Sequence, residues 1–104
     1  MASYRARAVA IHNLVVNLRS QMEQYVDGSP ADKAVLISMA VETTNKLLYC
    51  FMLSHEMFDR IDQLLNDHLN VQPNPQAISL LYLRTLGVVR QLERHASGWV
   101  AKYS

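Results

Sequence analysis

The sequence predicts an all-α protein: an antiparallel helical bundle of three to four helices, one domain over residues 1–104, associating as a dimer. Three observations lead there. Apolar residues recur in steps of three and four along most of the chain. Two sharp punctuation points, Gly28-Ser29-Pro30 and Val71-Gln72-Pro73-Asn74-Pro75, divide it. No period-two alternation survives more than a few positions, which argues against strands.

The first helix, about 3–27, has a regular seam in Tyr4, Ala8, Ile11, Val15, Leu18, Met22 and Tyr25. That alternation of fours and threes suits a helix lying nearly parallel to its neighbours. Gly28 is free to adopt the left-handed conformation that closes it. Ser29 is placed to cap the second helix, about 30–53, with Pro30 at its first position and Asp32 completing a capping-box-like S-x-x-D. The next boundary is softer. Ser54 could cap a third helix, about 55–70, or one helix could run from Ala31 to Asn70; forty residues is long for a globular helix, which favours a break between Leu53 and His55. In the third helix Met57, Phe58, Ile61, Leu64, Leu65 and His68 share a side opposite Asp59, Asp62 and Asn66. Pro73 stops it; Asn74 and Pro75 are a cap and a first helical residue for the fourth, about 75–102. Ile78, Leu81, Val88, Leu92, Ala96 and Trp99 line up along that last helix.

Half the residues are apolar and the net charge is +1, so a packed core is available and no general affinity for polyanions follows. Charge is unevenly spread. Arg5, Arg7 and Arg19 are the charges up to Met22; eight acids stand against Lys33, Lys46 and Arg60 from Glu23 to Asp67; and Arg84, Arg90, Arg94 and Lys102 face Glu93 in the tail. An acidic middle and basic ends can attract within one molecule or across a dimer. A single cysteine, no secretory signal and no long apolar run imply a cytoplasmic protein that does not enter a membrane.

Motifs for chemistry are weak. His55-Glu56-Met57-Phe58-Asp59 starts like a zinc-protease helix, but Asp59 stands where the second histidine belongs. Acids near a helix start serve its dipole, so no metal site is assigned, although a carboxylate site using Asp62 stays geometrically open. Cys50 reads as a buried thiol. No nucleophile elbow or phosphate loop occurs, so no catalytic residue and no cofactor is assigned, and the chain is read as a non-enzyme. SLLYLRTLGVVRQLER, Ser79 to Arg94, echoes a helix-turn-helix, yet Leu83 and Glu93 occupy positions that want a small and an apolar residue. An unbroken helix with Gly87 inside it, allowing close helix contact, is simpler, and direct nucleic-acid binding is not expected.

The second helix is unusual. Ser38, Glu42, Asn45 and Lys46 make a narrow polar stripe, and apolar residues from Val35 to Leu53 cover the rest. Two neighbours cover about half of such a helix, leaving roughly several hundred Å² of apolar surface for another protein chain. Leu48, Tyr49, Phe51, Met52, His55 and Phe58 are the candidate partner-binding residues, chosen from periodicity. In this all-helical character, and in the stretch ADKAVLISMAVETTNKLLYCFML, the chain resembles the small bacterial anti-activators of quorum-sensing receptors. That resemblance implies a protein partner, a LuxR-type transcription factor, whose dimerisation and DNA binding the chain would block. The alternative is a helical chaperone or immunity-type protein, a homodimer shielding an apolar segment of its client.

Overall fold

A computed structural model of the chain describes residues 3–47 and 53–103. Among them all regular structure is helical: α1 is Tyr4–Gln24, α2 Pro30–Leu47, α3 His55–Leu69 and α4 Pro75–Lys102. α4 is the longest and packs against the other three, most extensively against α1. Side-chain pairs set the directions. Arg19 meets Glu93 while Tyr82 meets Met22, and Arg60 meets Gln91 while Arg84 meets Asp67, so α1 and α3 both run antiparallel to α4.

Each helix start has a side-chain acceptor for an amide that its own ladder leaves open. Ser3 accepts from the Ala6 N–H at 3.1 Å, Ser29 from Asp32 at 3.2 Å, Ser54 from Met57 at 3.2 Å and Asn74 from Ala77 at 2.8 Å. Ser54 is therefore the cap of a separate α3. The end of α1 differs from expectation. It stops at Gln24, and Gly28 is not left-handed. Gly28 instead donates its N–H to the Tyr25 carbonyl at 2.9 Å, and a Cβ there would sit 3.0 Å from that same oxygen. Close approach, not an unusual φ, is what the glycine serves.

The core is continuous. Ala8, Ile11, Val15, Leu18 and Met22 of α1 interlock with Leu81, Tyr82, Leu86, Val89, Leu92 and Ala96 of α4. Leu36, Ile37, Ala40, Val41 and Leu47 close it from α2, and Met57, Ile61 and Leu64 from α3. Tyr4 and Tyr25, the two ends of the predicted α1 seam, are instead exposed; Tyr4 reaches the Tyr103 ring, 5.5 Å between centroids. Three buried hydroxyls find backbone acceptors inside the bundle. Thr44 donates to the Val41 carbonyl at 3.2 Å, Thr85 to the Leu81 carbonyl at 2.7 Å, and the Tyr82 hydroxyl to the Met22 carbonyl. Burial pushes the Tyr82 phenol above its ordinary pKa, because a phenolate would lose its hydration there.

Candidate functional site

The surface predicted to bind a partner centres on the α2–α3 junction. Of its six residues, Leu48, Tyr49, Phe51 and Met52 lie outside the described residues. His55 is exposed at the start of α3, and Phe58 is 44 % exposed one turn later. Phe58 thus leaves the apolar side on which the sequence placed it, because Met57, Ile61 and Leu64 already fill the contact with the bundle.

The expectation that α2 is apolar nearly all round needs correcting over its described length. Its buried positions 36, 37, 40, 41, 44 and 47 form one stripe at helical spacing. Ser38, Glu42, Asn45 and Lys46 face water, as expected, but only Val35 (60 % exposed) and Met39 (42 %) add large apolar groups to that side. These two stand one turn apart and share a face. Unpartnered apolar groups also occur elsewhere: Leu80 and Leu83 are more than half exposed on α4.

The polar geometry is concentrated on α4. On its α1 flank, Arg19 grips Glu93 with two bonds, Nε to Oε2 and Nη2 to Oε1, both 2.9 Å. Arg19 also bonds Glu23 at 3.1 Å, and Glu23 receives Arg90 at 3.1 Å. The hydrogen bond from Arg19 holds the Glu93 carboxyl below the usual carboxylate range, against the opposing effect of burial. The bonds to Glu93 and then to Glu23 raise the guanidinium pKa further. The acidic and basic segments therefore attract within one molecule.

On the α3 flank the helices part. An open groove of about 600 Å³ runs between them, floored by Leu64, Gly87 and Val88 and edged by Arg60, Arg84, Arg90 and Arg94. Arg60 is paired with Glu56 at 2.8 Å and with the Gln91 amide oxygen at 2.7 Å; Arg84 reaches Asp67 only at 3.6 Å. Nothing lies within 4 Å of the position a Gly87 Cβ would occupy. Gly87 is not a point of close helix contact, as the sequence suggested, but an opening in the surface. From the sequence, Arg84, Arg90 and Arg94 are only basic residues of the tail, with no site assigned to them. The missed signal was a helix-weakening glycine flanked by three cations at turn spacing.

A smaller, mostly apolar cavity of about 220 Å³ lies where α2, α3 and α4 meet, walled by Ile37, Ile78 and Leu81. The His68 Nδ1 is buried there without a hydrogen-bond partner. Among the described residues no three His, Cys, Asp or Glu side chains could hold one metal ion. No described helix is long and apolar enough to cross a membrane. Compared with known protein families, characterised proteins and solved structures, the chain matches none.

Proposed function

We propose that this chain is a protein-binding regulator of the cytoplasm, an anti-activator that occupies a LuxR-type transcription factor and keeps it from dimerising and binding DNA. It acts by covering a surface, with no chemistry of its own. The observation that carries the binding role is the exposure of Val35, Met39 and Phe58 on α2 and α3 beside a closed core. Ile61, Val89 and Met22 are wholly or almost wholly buried, so the outward groups are not a core left half built. Aromatic and methionine side chains of this kind are enriched where proteins dock. The choice of a LuxR-type partner rests on the resemblance of the stretch from Ala31 to Leu53.

The test is a mobility-shift titration with a LuxR-type regulator of the same host on its promoter fragment. The chain should release the regulator from DNA at near-equimolar amounts, and Phe58→Glu should require at least tenfold more. A regulator that stays on DNA, with the chain binding an unfolded apolar peptide instead, would replace this reading by the chaperone-like one.

A further inference from the structure

We propose that the α3–α4 groove is a docking site for an acidic amphipathic helix of a protein partner. The proposal rests on the reading of the chain as a protein-binding module and adds a second surface with a defined chemistry.

Shape comes first. From Arg84 to Arg94 the groove follows ten residues of α4, about 15 Å at a helical rise. At the Arg84 end it runs into a second depression of about 250 Å³, which shares Arg84 and Asp67 with it and is lined by Ala77, Leu80 and Leu81. Together they extend from Ala77 to Arg94, roughly 26 Å along the helix. A cleft this long and open would leave a small molecule wet on one side. A helix of about five turns laid along it would bury one face.

Chemistry sets the occupant's sign. Arg60, Arg84, Arg90 and Arg94 line the groove against a single lining carboxylate, Asp67. Glu56 and Glu23 outside it pair Arg60 and Arg90, which leaves Arg84 and Arg94 as the charges open to a guest. Arg84 holds that carboxylate loosely, and Arg94 has no ion pair among the described residues. Planar guanidinium forks suit carboxylates. The other end is more apolar, lined by Val71, Ala77, Leu81 and the 54 % exposed Leu80. A nucleic-acid backbone has no use for that apolar half, and two copies meeting through α4 would bring two sets of four arginines into one interface with one lining Asp67 from each. An amphipathic helix with acids toward one end satisfies both halves.

Gly87 supplies the independent observation. Glycine inside a helix is destabilising relative to alanine, and here it answers to no contact and no unusual φ. Its effect is to leave the groove floor free for the backbone or side chains of a guest.

Two fluorescein-labelled peptides of about 18 residues, with the same leucine register and either glutamate or lysine on the flanking positions, test the proposal by anisotropy. The glutamate peptide should bind at least tenfold tighter than the lysine peptide, and weaken tenfold with Gly87→Gln or Arg94→Glu. Both variants change exposed helical positions, and unfolding curves check that they fold. Equal binding of both peptides, no binding of either, or binding indifferent to both variants would overturn the proposal. So would displacement of the glutamate peptide by a short DNA duplex as readily as by unlabelled peptide, or self-association of the chain that Gly87→Gln abolishes. The two readings fail separately. Release of the regulator from DNA without peptide binding sinks only the groove; peptide binding without release sinks only the anti-activator.

Discussion

The two flanks of α4 differ although one helix supplies both. Toward α1, Tyr82, Leu86, Val89 and Leu92 are buried, and Arg19 closes the seam on Glu93 with two 2.9 Å bonds. Toward α3, Gly87 opens the surface and the nearest cross-helix ion pair, Arg84 with Asp67, stretches to 3.6 Å. The difference teaches that in a chain this short one helix serves as both keel and face. Its buried stripe, 81–82, 85–86, 89, 92 and 96, leaves the opposite side to Leu80, Leu83, Gly87 and Arg94.

Breaking the closed flank should have the largest effect. Leu92→Ala removes a side chain that is 1 % exposed between α1 and α4 and should cost about 2–5 kcal/mol in urea unfolding. A loss below about 1 kcal/mol would mean that the seam is not tightly packed. The open flank should respond with the opposite sign. Gly87→Ala meets nothing within 4 Å and should stabilise the protein by about 0.5–1 kcal/mol. A destabilised Gly87→Ala would show a hidden contact and remove the argument for a free groove floor.

The smallest effect should be electrostatic and visible through pH. Glu93 has a folded pKa below its unfolded one, so its contribution is present above the ordinary carboxylate pKa of about 4.3 and fades as pH falls through the folded value. Glu93→Gln should therefore be less stable than the wild type near neutrality, and the gap should close on acidification. A gap that persists unchanged at low pH would assign the loss to packing rather than charge.

Much of the fold was legible because helix ends carry local chemistry. Ser29 with Pro30 and Asn74 with Pro75 each cap a helix where the sequence placed a start, and Ser54 caps α3 at the boundary that the sequence left between a break and one long helix. The α1 stripe from Ala8 to Met22 follows from spacing alone. What spacing cannot tell is where a neighbour ends. Tyr4 and Tyr25 keep the register of the seam yet are exposed, because they sit at the two extremities of α1. Phe58 and Met39 are apolar residues that the periodicity of a whole helix cannot sort, since only the packed bundle shows which contacts are already full. The groove was illegible for a related reason. Arg60 and Arg94 are 34 positions apart, and only the antiparallel pairing of α3 with α4 brings them to one cleft.

Amide hydrogen exchange of the chain with and without a saturating LuxR-type regulator tests the central claim, that outward side chains beside a finished core make a docking surface. Protection is expected to rise in the first turns of α3 around Phe58 and in the middle of α2 around Met39, with the α1–α4 seam unchanged. A regulator that leaves those two segments exchanging as before, or slows exchange evenly throughout the bundle, would contradict the account.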